Sequence, residues 1–366
     1  MTTAYALQQA GLEVRVFEQA ATSREEGAGV ALWSNATSVL SQLGLRDLLH
    51  EVSTPITHIV RYTSDGKVLS NVSLAAITSR VGVGSFAVHR AEFHQGLVQA
   101  VGKEIISLQA RCTQVQQHEG GIGVQFADGH EVQADLLVGA DGIHSGIATQ
   151  LFGQRPLRYA GYTTIRAITS FTHPFLPLGK IFQTWGRGGL FGAVRLTQGR
   201  VYWYLQLTSA AASPRREKAE LQKVCHGWHE PIEALIAATD EHSLLQNDVY
   251  DRRPLSCWGK ERVTLVGDAA HPMTTALAQG ACQAIEDAGV LSSSLRTHPG
   301  TQALRAYEDA RRRRAATIVR QSRLLGEIEL WDSPPRSWVR DLWLVKPPRA
   351  LQERLMQPIF GFKVPL

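Results

Sequence analysis

The chain has 366 residues, 44% of them hydrophobic and 19% charged, which is long enough for more than one core and too apolar for disorder. Its formal charge of +5 comes from 38 basic and 33 acidic side chains, mostly dispersed, which argues against a nucleic-acid surface. The cysteines (Cys112, Cys225, Cys257, Cys282) lie far apart with no CxxC pair, and no apolar run approaches the ~20 residues that span a bilayer. With no signal peptide either, the expectation is a reduced cytoplasmic protein with no structural metal and no stable membrane insertion.

Thr2 to Gly11 reads as an amphipathic helix, with Tyr5, Leu7 and Ala10 among polar residues and Gly11 as its stop. Leu12 to Phe17 is strand-like and ends on Glu18, a carboxylate placed to accept from a ribose hydroxyl at the end of the second strand of a βαβ unit. Such a unit needs an earlier strand and a Gly-x-Gly-x-x-Gly turn, roughly 15 residues ahead of the helix. The sequence does not show them. Met1 is therefore expected to lie inside a longer reading frame, a real truncation being the rival reading. A chain without that segment is expected to hold a dinucleotide poorly and to lose stability, because the glycines admit the pyrophosphate and the strand would be central in a parallel sheet.

Ile56 to Val60 and Lys67 to Val72, joined by Ser64-Asp65-Gly66, predict a hairpin, and Gly121 to Phe126 with His130 to Ala134 predict a second. Arg90 opens a helix in Val88-His-Arg-Ala-Glu-Phe-His94, where its ordinary role would be surface or cap. Ala134 to Gly139 is an apolar strand that ends in Ala-Asp141-Gly142, with a helix to follow; by itself an Asp-Gly pair is most often a turn.

From Pro156 to Arg253 aromatic and polar residues alternate, predicting antiparallel strands at Tyr162 to Ile168, Lys180 to Thr184, Gly189 to Arg195 and Arg200 to Leu207. Ser213 to Ala238 reads as one helix, with Leu221, Val224, Trp228, Ile232 and Leu235 on its apolar stripe. Candidate pocket residues are Tyr162, Arg166, Trp185, Phe191, Tyr202 and Tyr204. Arg166 is the suggestive one, since a guanidinium in such a strand can pair with an anionic substrate. Ala303 to Leu325 is helical, and its Arg311 to Arg314 run reads as a solvated face. The tail beyond Leu330 is rich in Trp and Pro (Trp331, Pro334, Pro335, Trp338, Trp343, Pro347, Pro348) and is expected to pack, with contact to a partner subunit as one role.

The most specific stretch is Val263-Thr-Leu-Val-Gly-Asp-Ala-Ala-His-Pro272, followed by Gln279-Gly-Ala-Cys-Gln-Ala-Ile-Glu-Asp287. An apolar strand delivers an aspartate next to a helix N-terminus, an arrangement that holds the sugar-alcohol chain and phosphates of a cofactor. Together with the segments above, this run closely resembles the FAD-dependent aromatic hydroxylases (class A flavoprotein monooxygenases, the p-hydroxybenzoate hydroxylase group), and the resemblance extends nearly end to end.

The resemblance implies an α/β fold: a Rossmann-like FAD-binding domain of the glutathione reductase type, with an inserted antiparallel-sheet substrate domain. Residues 1–54, 73–155 and 256–330 would form the first, 55–72 and 156–255 the second, and 331–366 a C-terminal tail. Gly27-Ala-Gly-Val-Ala-Leu32, Asn35-Ala36 and Leu43-Gly44 match the segment beside the flavin. Arg90 would lie near the flavin and pyrophosphate, and Asp141-Gly142 would serve both the pyrophosphate and the pyridine nucleotide. Gly267 and Asp268 would hold the ribityl chain, and Ala278, Gln279, Gly280 and Ala281 would lie against the isoalloxazine. Tyr162, Arg166, Phe191 and Tyr204 would face the substrate.

The implied reaction uses FAD, NADPH or NADH, and O2 to hydroxylate a small aromatic or polycyclic phenol-like substrate through a C4a-hydroperoxyflavin. No catalytic side chain is assigned, His271 being read as structural within its turn, and the implied assembly is a monomer or homodimer. Three departures from the family pattern stand out. His144 and Ile147-Ala148 replace arginines, which weakens the expected pyridine-nucleotide contact, and Ala278 replaces a glycine beside the flavin. The alternatives are another FAD enzyme on this scaffold (epoxidase, halogenase or reductase) or a truncated remnant that does not bind FAD. A halogenase should carry Trp-x-Trp-x-Ile-Pro, and Trp185-Gly-Arg-Gly-Gly-Leu190 does not match it.

Overall fold

Alternation between half-buried and sealed residues along the middle of the chain produces one seven-stranded sheet, and this sheet organises the molecule. Its spatial order is Leu245–Asp251, Arg158–Ser170, Arg200–Thr208, Gly189–Arg195, Lys180–Trp185, His58–Thr63, Val68–Ser73. Neighbours are antiparallel except Lys180–Trp185 with His58–Thr63, which run parallel and join two segments distant in sequence. The structure is a computed structural model that describes residues 1–22, 28–345 and 349–364. Gly27, Pro347, Pro348 and the side chain of Trp343 lie outside the described residues.

The two faces of the sheet differ, because successive side chains in a strand point to opposite sides. One face packs Phe182, Phe191, Trp203 and Leu205 against Leu221, Cys225, Ile232, Leu235 and Ile236 of two short helices. Those helices, Lys218–Val224 and Ile232–Ala237, replace the single helix expected from Ser213 to Ala238. The chain breaks between them at Gly227, whose φ of +76° is left-handed, and at Pro231, which lacks an amide proton. The other face turns toward the rest of the molecule and carries Arg61, Gln183, Tyr204 and Arg166.

The remaining segments form helices and short strands around a second core. Thr2–Gln9, Ser34–Gln42, Arg90–Val101, Gly280–Thr297 and Gly300–Glu329 supply its helices. The parallel strands come in two pieces, Val16–Phe17 with Ile106–Ser107 and Leu137–Gly139 with Val263–Leu265. The strand expected from Leu12 shrinks to Val16–Phe17, since its ladder has partners only at Ile106 and Ser107. Both expected hairpins form, the second extended by Cys112–Gln117 into a three-stranded meander. The tail contains helices Pro334–Val345 and Arg349–Phe360. Among the described residues no helix is long and apolar enough to cross a membrane, and no cluster of metal-ligating side chains occurs.

Arg311 corrects the expectation of a solvated arginine face. Its side chain is fully buried and donates to Asp287 Oδ1 at 2.8 Å and to Glu286, both of which are also sealed. Arg314 adds Nε and Nη2 donors to the Glu286 carboxylate, each at 2.7 Å, and of the run only Arg313 is exposed. Buried charges survive only when paired, and here they clamp the Gly280–Thr297 helix to Gly300–Glu329.

Candidate active site

The strand Val263–Leu265 runs into Gly267, where φ is +58° and a Cβ would press against Ala284 at 3.2 Å. Glycine therefore lets the turn pass close over the next helix. Gly267 donates its N–H to Asp287 Oδ2 at 2.9 Å, and His271 Nε2 meets the same oxygen at 2.6 Å. Burial pushes the Asp287 carboxyl up, but the His271 and Arg311 charges outweigh it and hold the group at about 2. An ionised Asp287 thus anchors the turn that presents Asp268. His271 is sealed beside Trp258, with ring centroids 5.0 Å apart, and serves this anchor.

Asp268 itself projects outward and stays exposed. The protein packs closely enough around its carboxyl to raise the pKa, opposed by the charges of His271 and Arg90. Arg90 stands exposed at the start of its helix, and its charge also acts on His94, whose pKa burial lowers first, with the Met1 ammonium and Arg90 adding to the effect and Glu18 opposing it. Glu18 is exposed just past Phe17 and accepts from the Ala20 N–H at 2.8 Å. Although they are far apart in sequence, Glu18, Arg90 and Asp268 lie in one region: Arg90 acts electrostatically on both Asp268 and His94, and Glu18 acts on His94.

Asp141 accepts from the Ile147 N–H at 3.1 Å, and Ser145 Oγ caps the same helix through Ala148 at 2.8 Å. Gly142 has φ +75° with open space where a Cβ would sit. His144 is exposed, whereas Ile147 and Ala148 are buried in the core.

Along the Pro272 to Gly280 loop, Thr275, Ala278 and Ala281 remain exposed beside buried neighbours. Ala278 holds φ +48°, a left-handed conformation that glycine adopts freely and alanine does not. Its carbonyl accepts from Trp33 Nε1 at 3.1 Å, and Trp33 packs on Phe360 with centroids 4.6 Å apart. Gly280 opens the helix over open space, so the positive helix end faces the loop. Gln279 corrects the expected cofactor contact, since its side chain is fully buried and accepts from Asn35 at 3.0 Å and Gln283 at 2.9 Å. Gly267 likewise spends its N–H inward, on Asp287.

Facing this loop is the polar side of the seven-stranded sheet. Cross-strand register aligns Arg61 with Gln183, Gln183 with Gly192, Gly192 with Tyr204, and Tyr204 with Arg166, so these residues share one row and one face. Tyr162 and Gln206, on the same face, both reach Thr275 Oγ1, at 3.2 Å and 2.9 Å. Tyr202 fills the space beside Gly29, where any Cβ would collide with its ring. Gly192 similarly makes room for the Tyr204 ring, whose hydroxyl accepts from Gln183 Nε2 at 2.8 Å. Arg61 and Arg340 flank the Trp185 ring at 5.6 Å and 5.4 Å. Arg166 donates to Asn247, and its charge acts on the Tyr202 hydroxyl. Burial pushes the Tyr162 and Tyr202 hydroxyls up to about 12, which keeps both protonated.

Phe191 is placed differently from the expectation. It points to the helix-covered face and stacks on Trp203 at 5.6 Å with 0% exposure, because its position in the strand has the opposite parity to Gly192. Sequence reasoning missed Arg61, Gln183 and Gln206. Alternation in their strands was visible, but their shared row was not.

On this face, Arg61 Nε, Thr164 Oγ1, Arg166 Nε, Gln183 Oε1, Trp185 Nε1 and Gln206 Oε1 are sealed from solvent and have no hydrogen-bond partner among the described residues. Buried polar groups in native proteins are nearly always satisfied, so this wall carries an unusual concentration of unmet donors and acceptors. The exposed Glu18, Arg90 and Asp268, the open backbone at Gly142 and Gly280, and the helix N-terminus fit a dinucleotide flavin.

Comparison with known proteins agrees. The family model described as FAD binding domain matches residues 1–322. The chain is 33% identical over 344 residues to the aurachin C monooxygenase/isomerase of Stigmatella aurantiaca, covering 93% of this chain and 90% of that protein. It is 34% identical over 350 residues to the 3-amino-4-hydroxybenzoate 2-monooxygenase PtmB3 of Streptomyces platensis, covering 91% and 87%. The crystal structure of Klebsiella pneumoniae HpxO complexed with FAD and uric acid superposes with a TM-score of 0.93 at 26% identity, covering 98% of this chain and 94% of that one. This chain belongs to the FAD-binding-domain family, among the FAD-dependent aromatic monooxygenases.

Proposed function

We propose that the protein hydroxylates a small planar aromatic compound held between the polar face of the seven-stranded sheet and the Pro272 to Gly280 loop, using NADPH or NADH and O2. The observation that supports this reading is the wall of unpartnered polar atoms on the sheet face that reaches Thr275 of the Pro272 to Gly280 loop. When bound, FAD supplies the oxygen-activating redox chemistry, and the protein's task is to position and shield it.

Asp268 is suited to accept from the ribityl hydroxyls, and Arg90 to pair with the pyrophosphate. Glu18 takes the ribose, and Asp141 with Gly142 takes the phosphates and the nicotinamide nucleotide. N–H groups at Gly280 and Ala281 lie where the helix dipole stabilises negative charge on the ring. Tyr162, Tyr204 and Arg166 line the substrate side, where excluding water keeps the oxidant from being wasted. In this reading 55–72 and 156–255 act as the substrate domain and 1–54, 73–155 and 256–330 as the flavin domain.

The test begins with FAD titration of the purified chain by flavin fluorescence, followed by NADPH and NADH oxidation with and without aromatic substrates. Saturable FAD binding and substrate-stimulated oxidation, with one oxygen atom gained by the product in mass spectrometry, are expected. Oxidation without an oxygenated product would make the protein a reductase and sink the hydroxylase reading.

A further inference from the structure

Arg61 is a cation with little to neutralise it. Its Nε is sealed and unpartnered, its Nη1 reaches only Ser70 Oγ at 3.4 Å, and it forms no ion pair among the described residues. The groups whose charges face it are Glu329 at the end of the Gly300–Glu329 helix and Tyr204 from the sheet; Arg340, beside Asp341 on the next helix, adds positive charge. Burial pushes the Glu329 carboxyl up to about 8 against the pull of Arg61 and Arg340, so at neutral pH it stays mostly protonated and does not cancel Arg61. A half-buried guanidinium with a sealed, unpartnered Nε and no counter-ion in contact is stabilised by an anion that arrives with the ligand.

Resting on the substrate chamber above, we propose that Arg61 anchors an anionic group of the aromatic substrate, with Gln183 accepting from an N–H or O–H group on the same ring. The substrate class is thus an aromatic acid, enolate or phenolate that also carries a ring donor. Gln183 is the direct cross-strand neighbour of Arg61, and its Oε1 is unpartnered, so donor and acceptor stand side by side. Arg166 stands at the far end of the row, four strand spacings from Arg61, roughly 19 Å at ~4.8 Å per strand. One small ring cannot bridge both arginines, and Arg166 already donates to Asn247.

The test uses matched probes that differ in charge and hardly in shape, 3-amino-4-hydroxybenzoate and its carboxamide. Binding to the FAD-loaded protein is followed by tryptophan fluorescence, since Trp185 lies against Arg61. The acid should bind about 10- to 100-fold tighter than the amide, as a charge-assisted contact to a half-buried guanidinium would give. Arg61→Gln should erase that preference, and Arg61→Lys should restore part of it. Glu329→Gln should keep acid binding constant as pH rises through about 8, where the wild type weakens.

Equal binding of acid and amide overturns the proposal, as does absence of saturable acid binding. Loss of the preference in Arg166→Gln but not in Arg61→Gln does so too. FAD titration is read separately. Intact FAD binding with no acid preference removes only the Arg61 assignment, whereas loss of FAD binding removes the flavoenzyme reading itself.

Discussion

Replacing Arg311 with leucine tests whether the buried charge network holds the flavin-side turn. The change removes Nε–H to Asp287 and the paired contact to Glu286, leaving two sealed carboxylates with fewer partners. Breaking a buried pair by deleting one partner typically costs 3–5 kcal/mol. Here Asp287 keeps His271 and the Gly267 N–H, and Glu286 keeps Arg314 and Asn35, so the lower end, about 3 kcal/mol, is expected. For a chain of this size that corresponds to a fall in Tm of roughly 4 °C.

The pH dependence gives a second reading of the same variant. Burial raises Glu286, but the arginines bring it below its ordinary value, and Asp287 sits at about 2. A depressed carboxyl contributes stability above its unfolded pKa of roughly 4, and that stability is lost only as pH falls through the folded value. In the wild type this contribution is therefore flat from pH 7 down to about 4. In Arg311→Leu each carboxylate loses one cationic partner and titrates higher, so protonation relieves the penalty and the gap to wild type narrows toward pH 4. Urea unfolding at pH 7 and pH 4.5, with the exposed Arg313→Leu as control, measures both. A variant within ~1 kcal/mol of wild type at pH 7, or a gap unchanged at pH 4.5, would refute the reasoning.

Gly192→Ala drives a methyl into the Tyr204 ring and should weaken substrate binding at least tenfold at a stability cost of about 1–3 kcal/mol, read by ligand titration and thermal melting. Ala278→Val places a β-branched residue at φ +48° and should destabilise by about 1–2 kcal/mol and weaken FAD binding, whereas Ala278→Gly should bind FAD at least as tightly as wild type. Thr239→Val strips the hydroxyl that accepts from Trp203 Nε1 at 2.9 Å and meets Thr169 at 2.7 Å. It should cost about 2 kcal/mol in urea denaturation, because both partners are left buried and unpaired; a neutral result would mean the pocket's rear support lies elsewhere.

Residues that act with their neighbours in the chain were legible in the sequence. The Gly267-Asp268 turn, the Asp141-Gly142 turn, both hairpins and the helix opening at Gly280 all depend on spacing within a dozen or so residues, where backbone propensity and turn chemistry decide the outcome. Those motifs carried the family and its flavin. Tertiary structure decided what depends on faces and pairing. A one-residue change of parity sent Phe191 to the helix side while Gly192, Tyr204 and Arg166 turned to the chamber. The parallel pairing of His58–Thr63 with Lys180–Trp185 brought Arg61 beside Gln183 from more than a hundred residues away. Arg311 looked like one of four surface cations because helix periodicity alone does not say which face meets a carboxylate. Only the packing of Gly280–Thr297 against Gly300–Glu329 placed Glu286 and Asp287 on it.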